Sequence, residues 1–201
     1  MGSIKWLLAT HNKGKIKELR KILEPFPVDL KGLADMNIEA DSPESGETFL
    51  ENAKQKASYY YQIAKIAVLS DDSGLEVDAI GGAPGIYSAR FGGLETHEEK
   101  VVYLLELLKD VPPEYRTARF HCAAVFYDGL RYLSAQGTIE GYISEQPQGD
   151  GGFGYDPVFQ PELGGLTLAQ IPMEEKNRIS HRGKAFKDLI RARLKLSDVS
   201  V

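Results

Sequence analysis

Apolar positions recur along this chain at two different spacings, and the changes of spacing mark its elements. The short run Ile4 to Ala9 reads as a buried strand. Ile16, Leu19 and Leu23 then recur at helical spacing over Lys15 to Leu23, and Pro25 and Pro27 stop that helix. Val28 to Leu33 reads as a second strand, and the acidic stretch 34–47, with "DSPESGE", as a loop. Thr48 to Lys65 is helical again, with Leu50, Ala53, Ala57, Tyr61 and Ala64 on one stripe. A strand from Ala67 to Ser70 follows and is expected to end on two adjacent aspartates, Asp71 and Asp72.

The second half repeats the alternation. After a segment rich in glycine (Gly74, Gly81, Gly82, Gly85, Gly92), Thr96 and Glu99 form a capping box opening a helix to about Leu108. Pro112 and Pro113 close that segment. Thr117 to Tyr127, an Asp128-Gly129 turn and Leu130 to Thr138 form the clearest β-hairpin. A glycine-rich loop spans Gly149 to Gly154. The last helix opens near Ser180 as its N-cap, with Ala185, Leu189, Ala192 and Leu196 on one stripe. With no internal repeat or linker, the pattern predicts one α/β domain over residues 1–201.

Composition narrows the function classes. No apolar run approaches the roughly 20 residues that span a bilayer. No charged segment precedes a short apolar one, so secretion is not expected, and Met1-Gly2-Ser3 reads in part as an expression scar. The single cysteine, Cys122, excludes an internal disulfide and suits a reducing cytoplasm. A net charge of −5 offers no global field for nucleic acid or an anionic membrane. Two compact stretches nevertheless carry cations without an acid: "THNKGKIK" (Thr10 to Lys17) and "KNRISHRGK" (Lys176 to Lys184). An acidic protein with two basic loops suits a small anion.

Five segments carry candidate chemistry. In "LLATHNKGK" a strand runs into a polar turn and a helix, which presents backbone N–H groups and a positive dipole end to an anion. It is not a Walker A loop, lacking the first glycine and the Ser/Thr after "GK". Asp71 and Asp72 alternate in direction on a regular strand, so they serve one cation only if the chain turns there; the other reading gives one of them a capping or Asx-turn role. Oxygen ligands of this kind suit Mg2+. Glu44 is a loop acid, a solvated one by default. "GDGGFGYDP" sets Phe153 and Tyr155 among glycines, either as a platform for a stacked base or as turn aromatics in the core. In "EEKNRISHRGK", Lys176, His181 and Arg182 bracket a helix N-terminus, with His181 a hydrogen-bonding group or a general base. Cys122 and His121 face apart on an alternating strand, which rules them out as a dyad. Two anion loops, an acidic cluster and an aromatic platform together describe a nucleoside polyphosphate site.

The series "ATHNKGKIKEL", "GETFLENAKQKA", "DDSGLEVDAIGGAPGIYSARF", "GGFGYDPVF" and "EEKNRISHRGKA" resembles, in order and over nearly the whole chain, the motifs of the non-canonical purine nucleoside triphosphate pyrophosphatases. The resemblance implies an elongated mixed-sheet α/β fold with two lobes around a central nucleotide-binding cleft. It also implies a homodimer, and Mg2+-dependent hydrolysis of ITP, dITP and XTP to monophosphate and pyrophosphate. The family's phosphate-binding loop falls on Thr10, His11, Asn12, Lys13, Gly14 and Lys15; His11 departs from the small residue common there. Its proton acceptor and metal ligand falls on Asp72, with Asp71 beside it and Ser73 on substrate. Its upstream metal acid falls on Glu44, with Glu47 close by. Base and sugar contacts fall on Phe153, Gly154, Tyr155, Asp156, Lys176, His181 and Arg182. On this reading Asp72 activates water for in-line attack at the α-phosphorus while the lysines hold the developing charge. Donors aimed at a 6-oxo group would be left unpaired by adenine, a mismatch that discriminates by about 10⁴ or more. Three competing readings are a septum-formation-type nucleotide pyrophosphatase, a metal-dependent phosphomonoesterase and a nucleotide sensor without catalysis.

Overall fold

The computed structural model describes residues 4–198, so Met1-Gly2-Ser3 and the side chain of Leu196 lie outside the described residues. A six-stranded sheet runs in the order β2-β1-β3-β4-β5-β6, where β1 is Ile4–Leu8, β2 Val28–Gly32, β3 Ala67–Val77, β4 Thr117–Tyr127, β5 Tyr132–Ile143 and β6 Phe159–Gln160. β1 pairs in parallel with both β2 and β3, while β5 and β6 are antiparallel, so the sheet is mixed. The helices are α1 (Lys13–Leu23), α2 (Phe49–Ala64), α3 (His97–Leu107), α4 (Met173–Ile179) and α5 (His181–Asp198). Because α1 leads from β1 to β2 on one side and α2 leads to β3 on the other, the strand order reverses at β1. The carboxyl end of such a strand is where open α/β sheets place ligands.

The chain divides into two compact units. The first comprises the residues up to Asp72, Cys122–Gly137 and the chain from Arg182; the second comprises Ser73–His121 and Thr138–His181. Each unit has its own core. In the first, Trp6, Leu8 and Leu69 of the sheet pack with Leu19 and Leu23 of α1 and Phe186, Leu189 and Ile190 of α5. Trp6 meets Phe126 edge to face at 5.1 Å. In the second, Leu75, Val77, Leu104, Phe120, Val158 and Phe159 cluster. β4 records the difference in its burial. Thr117 to His121 alternate, as on a sheet with one wet face, whereas Cys122 to Phe126 are all buried, as on a sheet covered on both faces.

Several expected boundaries move. Helix α1 begins at Lys13 because Asn12 takes the N-cap, its side chain accepting from the Lys15 N–H. The buried stripe of α2 is Phe49, Asn52, Ala53, Lys56, Ala57 and Tyr60. It lies one position off the expected one, since Leu50, Tyr61 and Ala64 are only half-buried. The expected capping box at Thr96 and Glu99 is present. The hairpin closes over Asp128 to Arg131, where Asp128 Oδ1 accepts from the N–H groups of both Leu130 and Arg131. "KNRISHRGK" is not a loop. Pro172 starts α4, whose first turn holds Glu174 and Glu175 and whose last holds Lys176 and Arg178, as the helix dipole favours. In α5 the buried partners of Ala185 and Leu189 are Phe186 and Ile190, and Ala192 is exposed.

Candidate active site

In the first unit, β1 delivers the chain to Thr10, whose hydroxyl accepts from the Asn12 N–H at 3.1 Å. The Asn12 cap satisfies the Lys15 N–H, and Ile16 N–H bonds back to the Asn12 carbonyl. The N–H groups of Lys13 and Gly14 belong to the first turn, which has no intrahelical acceptors, an arrangement that suits an anion. His11 is exposed and reaches the Ala40 carbonyl and Asp41. Lys15 turns inward, its Nζ 2.9 Å from Asp71 Oδ2.

The aspartates do not end a strand. β3 runs through them to Val77, so they point to opposite faces. Asp71 shares a face with Leu69, on the side of α1 and α5. There, 2% exposed, it meets Lys15 and, at 3.4 Å, Arg182 Nε. The Arg182 guanidinium in turn donates to Glu18 Oε2 at 2.6 Å. Burial works against the charged guanidinium, but Glu18 and Asp71 hold its pKa above the ordinary arginine value. Asp72 shares a face with Ser70, on the side of α2: Ser70 Oγ donates to the Ala53 carbonyl, and Asn52 Nδ2 donates to Asp72 Oδ2 at 3.1 Å. Burial pushes the Asp72 carboxyl above the usual aspartate range, against the pull of Lys15, Lys56 and the Asn52 hydrogen bond.

Between these groups stands Lys56. Its ammonium is 2.6 Å from Glu44 Oε1 and donates to the Asp71 carbonyl at 3.0 Å. Burial alone would lower its pKa; Asp71, Glu44 and Asp72 together raise it. Of the two upstream acids, Glu44 joins this cluster and Glu47 is exposed. The donor chemistry, carboxylate oxygens only, fits a hard cation such as Mg2+. In this structure Lys15, Lys56 and Arg182 supply the countercharge. Among the described residues, no three His, Cys, Asp or Glu side chains stand close enough to share an ion.

In the second unit, Ser73 continues β3, half-buried. The loop at Phe153 is held by Asp156, whose Oδ2 accepts from the Phe153 N–H at 2.7 Å and pairs with Lys176 Nζ. Gly152, at φ 70°, is required there, since a Cβ would run into that carboxylate. Phe153 stays half-exposed, with Lys176 Nζ 5.2 Å from its ring centroid and the His97 ring beside it. Gly154 is half-buried next to it. Tyr155 is in the core. Its hydroxyl donates to the Ser88 carbonyl, and burial pushes its pKa up. His181 opens α5 buried, stacked on Phe120 at 4.8 Å and 11°.

Sequence reasoning did not single out Asn52, Lys56 or Glu18. A signal existed in "ENAKQKA": Asn52 and Lys56 are four residues apart, each one position from the apolar Ala53 and Ala57, and so lie on the edge of the buried stripe. Polar residues on a buried face need partners there. Glu18, between Ile16 and Leu19, carries the same signal.

A family model described as the Ham1 family matches residues 6–192. The chain is 44% identical to the dITP/XTP pyrophosphatase of Bacillus subtilis (strain 168), over 91% of this chain and 93% of that protein. It is also 44% identical to the dITP/XTP pyrophosphatase of Escherichia coli (strain K12), over 94% and 97%. Among solved structures, a HAM1 protein from Coxiella burnetii superposes with a TM-score of 0.84 at 34% identity, covering 96% of this chain and 99% of that one.

Proposed function

The chain belongs to the Ham1 family, and from that premise we propose that it hydrolyses the purine nucleoside triphosphates ITP, dITP and XTP to monophosphate and pyrophosphate, clearing them from the nucleotide pool. The observation that carries this reading is Asp72. It is a buried carboxylate that accepts from Asn52, with Glu44 and the cations Lys15 and Lys56 acting on it, and burial holds it above its usual pKa range. Thr10 to Lys15 bind the triphosphate through first-turn N–H groups and lysine charge. Asp72 orients a water and accepts its proton as the oxygen attacks the α-phosphorus, with pyrophosphate leaving. Lys15 and Lys56 hold the charge that develops on the phosphate oxygens. Mg2+ would be held by Glu44 and Asp72 and would supply Lewis-acid neutralisation of the phosphates; Asp71, expected as a third ligand, is turned to the opposite face of β3, where it pairs with Lys15 and Arg182. Arg182 acts by holding Asp71, and Ser73 contacts substrate. On the base side, Phe153 and Gly154 offer the stacking surface, Tyr155 and Asp156 fix the loop behind it, and Lys176 and His181 supply polar contacts.

Residues 1–201 are read as one pyrophosphatase domain, a reading supported by β3, β4 and β5 each contributing residues to both compact units. The enzyme is a homodimer of the cytoplasm, a reading the family likeness supports. Among the described residues no helix is long and apolar enough to cross a membrane.

A panel of nucleoside triphosphates with Mg2+, with phosphate and pyrophosphate quantified separately, tests the proposal. ITP and XTP are expected to release pyrophosphate, with ATP turned over far more slowly. Comparable kcat/KM for ATP and ITP would remove base specificity. Orthophosphate without pyrophosphate would make the protein a phosphomonoesterase, and tight ITP binding without turnover a sensor. Phe153→Ala should weaken purine nucleotide binding roughly 5- to 150-fold, the loss of about 1–3 kcal/mol of base stacking, and leave the metal requirement unchanged. Undiminished affinity in a folded variant would take Phe153 out of the site.

A further inference from the structure

The loop that carries Glu44 is fastened to α2 residue by residue. Glu44 pairs with Lys56, the Ser45 N–H donates to Gln55 Oε1, the Gly46 N–H to Asn52 Oδ1 at 2.8 Å, and the Glu47 N–H to Glu51 Oε2. Two of these α2 residues also reach β3. Lys56 takes the backbone carbonyl of Asp71, whereas Asn52 takes a side chain. The Asn52 Nδ2 donates to Asp72 Oδ2 at 3.1 Å, so one amide joins the loop of one acid to the carboxylate of the other. The two bonds fix the amide's orientation, because the Gly46 N–H requires an acceptor and thereby turns the donor toward Asp72. Asn52 itself is 1% exposed, so its amide is shielded from water. The fit at Gly46 is close: an added Cβ would stand 2.6 Å from Glu51 Cβ and 2.9 Å from Asn52 Oδ1.

We propose that Asn52 is a positioning residue for hydrolysis, registering the Glu44 loop against Asp72 and fixing the direction in which the Asp72 carboxylate meets water and cation. The proposal rests on the pyrophosphatase reading of Asp72. An amide suits the task better than its neighbours in size: aspartate keeps the acceptor for Gly46 but sets a second carboxylate against Asp72, and alanine offers neither bond.

Three variants separate the two halves. Asn52→Ala should lower kcat for ITP by about 10- to 100-fold, the usual effect of removing a group that orients a ligating residue, with KM changed by less than about threefold. Hydrogen exchange at the Gly46 amide should lose its protection in the same variant. Asn52→Asp should keep that protection and still lose kcat. Gly46→Ala, which leaves Asn52 in place but displaces the loop, should lower kcat as well. Combined with Asn52→Ala it should add less than its separate effect, as for two changes to one connection. A purely structural Asn52 predicts a lower Tm with kcat intact in the folded fraction, and that result overturns the proposal. So does unchanged Gly46 exchange in Asn52→Ala. Parent protein that releases no pyrophosphate from ITP fails the pyrophosphatase reading instead, a result separate from all of these because it needs no variant.

Discussion

Asp72→Asn is expected to lower kcat by at least about 100-fold, the low end for losing a positioned proton acceptor, while the protein remains as stable as the parent or becomes more so. The side chain keeps its size and can still accept from Asn52, but it loses charge and basicity. The stability half follows from the sign of the pKa shift. Burial raises the Asp72 carboxyl, so ionisation disfavours the folded state; that cost is absent below the ordinary aspartate range and fully present above the raised pKa. At neutral pH the asparagine removes it. Adjacent Asp71 is not the source of the strain, because the strand turns the two side chains to opposite faces. The same shift sets a pH profile. kcat/KM of the parent should fall with pH along an acid limb lying above the usual aspartate range, and Asp72→Asn should lack that limb. Binding through α1 survives, so the loss should appear in kcat rather than KM. Near-normal kcat would end the catalytic assignment, and a sharply lower Tm with catalysis intact would make Asp72 structural.

The largest loss of stability should come from Arg182→Gln. Arg182 is 3% exposed and faces two buried acids, Glu18 and Asp71. Removing one partner of a buried ion pair costs about 3–5 kcal/mol, since the other charge stays behind uncompensated. In a chain of this length that is a fall in Tm of roughly 6–20 °C. The contact to Glu18, at 2.6 Å, is shorter than the one to Asp71, at 3.4 Å, so more of the deficit arises at Glu18. The double change Arg182→Met with Glu18→Met should therefore recover much of the loss, because a buried pair replaced by apolar groups is often neutral. Thermal melts of the single and double variants decide it. A single variant with unchanged Tm and a raised KM for ITP would return Arg182 to direct substrate contact.

Local pattern determined much of this protein. The periodicity of β1, α1, α2 and β4, the capping box at Thr96 and the five glycine-rich or charged segments follow from side-chain spacing and turn chemistry, which act over a few residues. So do the chemical types at the site: acids, lysines at a helix start, and an aromatic among glycines. What only the tertiary structure decided is where buried charge is tolerated. Two aspartates in a row look like the end of a strand, because an unpaired carboxylate in a sheet is costly. β3 continues through them because Lys15 and Arg182 meet Asp71 on one face and Asn52 meets Asp72 on the other. Arg182 stands 111 residues from Asp71 and 164 from Glu18, separations at which no local pattern announces a pairing. For the same reason Lys56 and Asn52, at the edge of the buried stripe, have partners that are not legible in sequence. Each is buried only because acids and backbone from other elements satisfy it, and that satisfaction exists only once the chain has folded.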